Sequence, residues 1–288
     1  MSEEGAAGGM EASGEDAASS QSFPPLVLHV PHASTRIPES ALQDFVVSSA
    51  TLQSEHLRLV DWFTDELYMG ESFPRERAVV SQVSRLVVDM ERFADDAMES
   101  AASVGMGACY LKTTDGQELR RLTSERRETL LAEHYYPHHA RLDRLAGACL
   151  DAHGRCVVLD CHSFPVQPLP TQTSFLDVSP EICIGTDPQH TSPELRDLVV
   201  GHFRDHGFEV LVDKPFMGAL IPNAFYGKDT RVQSVMVELR RDLYMDEATG
   251  EKVEGPFHRL QAVLTELRGK LEEFATRGDG AQRSTSTQ

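Results

Sequence analysis

The sequence has few basic residues, no long apolar run and no signal-peptide pattern. Lysine and arginine number 27 against 45 aspartate and glutamate residues, and the formal net charge is -18. This acidity argues against general nucleic-acid binding, which needs a basic surface. No apolar run approaches the roughly 20 residues that a membrane-spanning helix needs. An anionic small-molecule ligand is still compatible with the composition, because local arginines can override the overall charge.

The cysteines are odd in number and include no C-x-x-C pair. The five are Cys109, Cys149, Cys156, Cys161 and Cys183. Neither a disulfide framework nor a thiolate zinc site is indicated, and reduced thiols lead us to expect a cytoplasmic protein. The sequence also lacks a glycine-rich phosphate loop, a G-x-S-x-G elbow and an H-E-x-x-H helix. The best-known nucleotide-binding and hydrolase signatures are therefore missing.

The ends of the chain differ in composition from its middle. Residues 1–22 and 277–288 are rich in small and polar residues without apolar periodicity, and we predict disordered tails there. Residues 23–276 are predicted to form a single α/β domain. The apolar pattern predicts strands over 26–30, 78–83, 85–89, 156–161, 182–185, 209–212 and 233–239, and helices over 52–69, 117–150 (with a break near Pro137), 192–206 and 256–275. This alternation predicts a three-layer α/β/α fold with a central, mostly parallel mixed sheet.

Two predicted strands lead into histidine, and one of them also carries an aspartate. An apolar run ends in Asp160 and His162, which point to the same side because side chains alternate along a strand. The first strand leads to His32, whereas His29 within it reads as a core histidine. Open α/β sheets bind ligands at the carboxyl ends of strands. A carboxylate and imidazoles there suit a metal site or a base–orienter pair, although an aspartate cap and a hydrogen-bonded histidine would explain the pattern equally well.

Charged residues interrupt the apolar pattern at three further places. Arg85 and Asp89 bracket a short apolar run and Arg92 follows; two arginines could hold a dicarboxylate, or Arg85 and Asp89 could form a structural ion pair. Glu238 ends an apolar strand, where it could activate water beside a metal or pair with a neighbouring arginine. Asp61 could supply an oxygen ligand, although a solvated acidic helix face is the simpler explanation.

Seven short segments, taken in order, carry a family resemblance. They are His-Val-Pro-His-Ala-Ser (29–34), Asp61 with Thr64-Asp65, Arg-Leu-Val-Val-Asp-Met-Glu-Arg (85–92), Leu-Asp-Cys-His-Ser (159–163) with Pro165, Ile-Cys-Ile-Gly (182–185), Asn-Ala-Phe-Tyr-Gly (223–227) through Glu238, and Leu-Tyr-Met-Asp-Glu (243–247). Together they resemble the N-formylglutamate amidohydrolase (N-formylglutamate deformylase) family over about residues 25–275. Many members have Ser-Gly where this chain has Ala33-Ser34, and Asn where it has Glu91.

The resemblance implies metal-dependent hydrolysis of N-formyl-L-glutamate to L-glutamate and formate, as in histidine degradation. It also implies an architecture similar to that of zinc carboxypeptidases and aspartoacylase. Carried over to this chain, it implies His32 and His162 as ligands of a divalent metal, zinc by preference, and Glu238 as the base. Such relatives often place a carboxylate three residues after the first histidine, where this chain has Thr35. Asp61 is therefore the first choice for the third ligand, and Asp89 the second.

The substrate contacts and the competing functions complete the expectations. The resemblance implies a small acidic N-acyl amino acid as partner, with no nucleic acid and no membrane, and contacts to it from Arg85, Arg92, Ser34 and Asn223. One alternative is a carboxypeptidase-like deacylase that acts on another N-acyl amino acid or a small peptide. Others are a hydrolase with Cys161 as nucleophile, although that side chain points away from Asp160 and His162, and a non-catalytic binding module.

Overall fold

The computed structural model describes residues 24–169 and 179–277. The predicted N-terminal tail lies outside these residues, and so does the predicted C-terminal tail apart from Arg277. Their disorder therefore stays a prediction, as does the single-domain organisation. Among the described residues, no helix combines the length and the apolar character needed to cross a membrane.

A six-stranded mixed sheet lies at the centre of the fold. Its strands are β1 (Leu26–Val30), β2 (Ala78–Val80), β3 (Cys156–Phe164), β4 (Ile182–Gly185), β5 (Val210–Val212) and β6 (Val232–Arg240), and β7 (Met245–Asp246) with β8 (Glu251–Lys252) forms a separate ribbon. The strand order is β2-β1-β3-β6-β4-β5. Neighbours run parallel from β2 to β6, β4 is antiparallel to β6, and β5 is parallel to β4. The mostly parallel mixed sheet is confirmed.

Helices cover both faces of this sheet. They are α1 (Glu39–Leu42), α2 (Ser49–Leu59), α3 (Thr64–Met69), α4 (Ser124–Leu130), α5 (Tyr136–His153), α6 (Pro193–Asp205) and α7 (Glu254–Thr276). Alternate residues of β1 separate the two layers, because side chains point to opposite faces along a strand. Leu26 and Leu28 pack in the core with α3, α6 and α7, whereas Val27 packs with Leu142 and Ala146 of α5. The predicted α/β/α layering is confirmed.

The predicted strand at 85–89 does not form. The backbone N–H groups of Val87 and Val88 both donate to the carbonyl of Ser84, so the segment is a turn rather than an extended strand. Leu86, Val87 and Val88 are nevertheless fully buried. A short apolar run predicts that its side chains are buried, and here a compact turn buries them.

Two of the predicted helices also differ from the structure. The helix predicted over 52–69 is divided, because α2 ends at Leu59 and α3 begins at Thr64. In the segment predicted as helical over 117–150, α4 begins only at Ser124, and the α-helical pattern is interrupted between Leu130 and Tyr136, directly before Pro137. One wider, π-type turn over Leu131–Tyr135 joins α4 to α5. This wider turn accommodates the proline, which lacks a backbone N–H.

The sheet brings the chemically important side chains together on neighbouring central strands. His29 of β1 is in register with Asp160 of β3, and His162 of β3 is in register with Glu238 of β6. His32 follows β1 by two residues. Because these strands are parallel, their carboxyl ends lie at the same edge of the sheet.

Candidate metal centre and active-site cavity

His32, Asp61 and His162 meet in one buried cluster at this edge. Their ligand atoms lie within 4.8 Å of one another. Asp61 Oδ2 is 3.0 Å from His162 Nδ1 and 3.5 Å from His32 Nδ1. His32 Nδ1 is buried and has no hydrogen-bond partner among the described residues, which is rare for a buried polar atom. The donor set and the unpartnered nitrogen both fit a metal ion.

Asp61 is not part of a solvated helix face. It lies in the connection between α2 and α3 and is 2% exposed. Its backbone N–H donates to the carbonyl of His32, and its Oδ2 accepts from the backbone N–H of Ser163. The connection between the two helices therefore positions this carboxylate beside both histidines.

Carboxylates also contact the outer nitrogens of the two imidazoles. His32 Nε2 is 2.9 Å from Asp89 Oδ1, and His162 Nε2 is 3.1 Å from Asp160 Oδ1. Such contacts fix the orientation of ligand histidines in metal sites. Because Asp89 faces the nitrogen of His32 that points away from the cluster, the geometry favours Asp61 over Asp89 as third ligand.

The electrostatics of the cluster favour added positive charge. Burial and Arg85 oppose protonation of His32, but Asp89 and Asp61 outweigh them and raise its pKa. Burial also opposes protonation of His162, where Glu91 and Asp160 raise the pKa well above its usual range. The same carboxylates that stabilise an imidazolium would stabilise a bound cation.

The cluster lies in the wall of a cavity of ≈ 970 Å³. Glu238 lines the same cavity, is 8% exposed, and its Oε2 has no hydrogen-bond partner among the described residues. Burial raises the pKa of Glu238 to about 8. The alternative pairing of Glu238 with a following arginine is not realised, because Arg240 pairs with Asp242 and Arg241 lies 3.6 Å from Asp61.

The two arginines predicted to bind substrate differ in how many hydrogen bonds they already make to the protein. Arg85 donates to Asp89 Oδ2 from Nη2 at 2.8 Å and to the carbonyl of Leu59 from Nη1 at 3.1 Å, so the structural ion pair is present. Tyr110 also donates to Asp89. Arg92 lines the cavity and its side chain is 34% exposed; its buried Nε makes no hydrogen bond among the described residues and lies 3.9 Å from Asp89 Oδ2. Arg92 is therefore the freer of the two arginines.

The structure places three other predicted candidates away from the cavity wall. Ser34 Oγ accepts from the backbone N–H of Arg36, and Asn223 is exposed beside Lys228; neither is among the described residues that line the cavity. Cys161 is fully buried, its thiol donates to the carbonyl of Leu159, and burial raises its pKa well above the usual range. It also does not line the cavity, which argues against a thiolate nucleophile.

Sequence reasoning missed two side chains that line the cavity beside the cluster. Glu91 Oε1 lies 3.0 Å from His162 Nε2, and the only signal for it was its place in the segment between Asp89 and Arg92. Arg241 donates to the carbonyl of Arg58 at 2.8 Å and is buried beside Asp61. No apolar pattern marks it, because it follows the end of β6.

Comparison with known proteins identifies relatives over most of the chain. A family model described as N-formylglutamate amidohydrolase matches residues 24–245. N-formylglutamate deformylase from Pseudomonas putida is 24% identical over 233 residues, which cover 77% of this chain and 82% of that protein. The enzyme of the same name from Pseudomonas aeruginosa is 26% identical over 231 residues, with 77% and 83% covered.

Solved structures show the same fold. The crystal structure of N-formylglutamate amidohydrolase from Ralstonia eutropha JMP134 superposes with a TM-score of 0.76 at 25% identity and covers 89% of this chain and 95% of that one. A gene product from Agrobacterium tumefaciens gives a TM-score of 0.58 at 21% identity, with 86% and 92% covered, and supports the fold alone.

The family model covers well over half of the chain, and the named relatives agree with it. The predicted enzyme class, a hydrolase that acts on a carbon–nitrogen amide bond, is thereby confirmed. The chain belongs to the N-formylglutamate amidohydrolase family.

Proposed function

We propose that this protein hydrolyses N-formyl-L-glutamate to L-glutamate and formate, with a divalent metal ion held by His32, Asp61 and His162. The convergence of these three side chains at the wall of a large cavity carries the proposal. The relatives named for this substrate support it.

The donor set suits a catalytic metal site. Two imidazole nitrogens and one carboxylate oxygen leave a fourth position open, which is the usual arrangement of catalytic zinc. Zinc is our first choice because two of the three ligands are imidazoles, which suit zinc. Manganese, cobalt and iron can take similar ligands. A divalent ion at this position would supply Lewis acidity, which lowers the pKa of water and polarises a carbonyl oxygen.

Glu238 is the proposed general base. Its buried carboxylate, with one oxygen unpartnered, faces the cavity on the strand next to His162. In the proposed reaction its ionised form, which a bound cation would favour, takes a proton from water as the water oxygen bonds to the formyl carbon. It then delivers that proton to the glutamate nitrogen as the carbon–nitrogen bond breaks. Water is thus divided between the two products.

Arg92 is the proposed contact for a substrate carboxylate. A guanidinium binds a carboxylate through paired hydrogen bonds, and Arg92 lines the cavity with only a 3.9 Å ion pair from its Nε to Asp89 and no hydrogen bond from that nitrogen among the described residues. Arg85 lines the same cavity but already binds Asp89. We therefore propose that Arg85 acts mainly by holding Asp89 against His32.

The pathway and the cellular location rest on the sequence. The reaction fits histidine degradation, as the family resemblance implies. The cytoplasm is the compartment that the reduced cysteines favour. Both are part of the proposal.

A substrate panel tests the proposed reaction. We would measure acid and amine release from N-formyl-, N-acetyl- and N-succinyl-L-glutamate and from N-formyl-L-leucine. The expected order of kcat/KM places N-formyl-L-glutamate first, and Arg92→Ala should reduce the preference for glutamate over leucine. Arg121→Ala is the matched control, because Arg121 pairs with Glu118 on the surface.

Two results would redirect the assignment. Faster hydrolysis of the acetyl or succinyl compound would favour the broader deacylase alternative. Absence of hydrolysis of all four compounds by the metal-loaded protein would contradict the proposed function.

A further inference from the structure

A second cluster of ligand-type side chains adjoins the first. His29, Glu91 and Asp160 bring ligand atoms within 4.8 Å of one another. His29 is fully buried, Asp160 is 1% exposed, and the side chain of Glu91 is 19% exposed towards the cavity. We propose that this cluster binds a second divalent metal ion, next to the ion of the proposed function.

The donor atoms are spaced as ligands around one small cation. His29 Nδ1 lies 2.7 Å from Asp160 Oδ1 and 3.9 Å from Glu91 Oε1. Ligands about 2.1 Å from a tetrahedral ion lie roughly 3.4 Å apart, a value between these two distances. Small side-chain movements would therefore place all three donors around an ion.

The other polar atoms of two of these ligands are already engaged. His29 Nε2 lies 2.9 Å from His138 Nε2, so its Nδ1 is the nitrogen that faces the carboxylates. Asp160 Oδ2 accepts from the backbone N–H of Leu220 at 2.9 Å, so its Oδ1 faces the cluster, where it also lies 3.1 Å from His162 Nε2. Outer contacts of this kind orient metal ligands.

Histidines are the only basic neighbours of the two carboxylates among the described residues. Within residues 24–169 and 179–277, neither Asp160 nor Glu91 forms an ion pair with lysine or arginine, and their charged neighbours are the imidazoles of His29, His32 and His162. A buried carboxylate needs compensation. A divalent cation would supply it, as an arginine does for Asp89.

Glu91 lies between the two clusters. Its Oε1 lies 3.9 Å from His29 Nδ1 and 3.0 Å from His162 Nε2, and its Oε2 lies 4.0 Å from His32 Nδ1, the unpartnered nitrogen of the first cluster. Metal ions in two-metal hydrolytic sites are about 3.5–4 Å apart. Glu91 is therefore placed to bridge two ions. One imidazole and two carboxylates suit a first-row divalent ion such as zinc or manganese.

Counting bound metal tests this proposal, which rests on the metal site of the proposed function. The full chain is stripped with chelator, dialysed to equilibrium against micromolar zinc, and analysed by elemental mass spectrometry. We expect about two zinc ions per wild-type chain and about one in His29→Ala. His202→Ala is the matched control because it also removes a buried imidazole, on α6, and it should retain both ions.

Glu91→Gln provides a second variant if His29→Ala does not fold. Its side chain is partly exposed, and the amide keeps the shape but cannot bridge as an anion. With manganese, electron paramagnetic resonance should show an exchange-coupled pair in the wild type and an uncoupled ion in Glu91→Gln.

The metal count separates failure of the two proposals. One zinc ion in the wild type and one in His29→Ala would overturn the second site and leave the first. No bound zinc in the wild type would overturn both. Two ions retained in both His29→Ala and Glu91→Gln would place the second ion elsewhere and would also overturn this assignment.

Discussion

Replacing Glu238 with glutamine should abolish most of the activity. It should also remove the loss of unfolding free energy that the wild type shows as the pH rises. The substitution keeps the size of a side chain that is 8% exposed in the cavity wall. A general base contributes about 10²- to 10⁴-fold to a rate, which corresponds to about 3–5 kcal/mol of activation free energy. We therefore expect kcat to fall by that factor while zinc binding is retained.

The stability effect follows from the raised pKa of Glu238. Burial raises this pKa from an ordinary value of 4.5 to about 8. Between these values the unfolded chain releases the proton and the folded chain keeps it, so the free energy of unfolding of the wild type falls as the pH rises. For the metal-free protein the full loss is about 5 kcal/mol above pH 8. Glutamine does not titrate, so the variant escapes this loss.

Urea unfolding of the chelated proteins from pH 5 to pH 8.5 measures this difference. The gap in unfolding free energy between Glu238→Gln and the wild type should widen with pH, in favour of the variant. A gap that does not change with pH, or a variant with near-wild-type kcat, would refute the reasoning about this carboxylate.

Three further predictions concern the metal and the substrate. Zinc should bind more tightly as the pH rises and should release protons, because the pKa values of His32 and His162 are raised and both must be deprotonated before they bind zinc. Calorimetry in buffers of different ionisation enthalpy measures the number of protons released. A pH-independent zinc affinity would contradict the prediction. Asp89→Asn should weaken zinc affinity by about 10- to 100-fold, because Asp89 orients His32; competition with a chelator gives the value, and unchanged affinity would remove that role. Arg92→Ala should lower kcat/KM by roughly 10- to 150-fold, the worth of a charged hydrogen bond, in initial-rate assays, whereas equal kinetics would show that another side chain binds the carboxylate.

The sheet could be predicted from the sequence because its strands carry strong apolar patterns. The predicted bounds of β1 and β4 match the structure, and β3 and β6 differ by a few residues at their ends. The turn at 85–89 was predicted as a strand because apolar side chains are buried in either conformation. An apolar sequence pattern indicates directly which side chains are buried, but only indirectly which backbone conformation they adopt.

The convergence of the candidate site residues could be predicted where they lie on strands or just after them. His32, His162 and Glu238 follow from strand ends that meet at one edge of a parallel sheet. The preference for Asp61 over Asp89 had no geometric basis in the sequence, because that basis is which nitrogen of His32 each carboxylate faces. Glu91 was missed because its position beside both clusters depends on a turn that brings its side chain back to His162.

The most direct test of the central claim is formate release from N-formyl-L-glutamate before chelation, after chelation and after zinc is restored. The account predicts release by the untreated protein, loss of release after chelation and recovery when zinc is added. Release that persists unchanged in the fully chelated protein would contradict a metal centre at His32, Asp61 and His162.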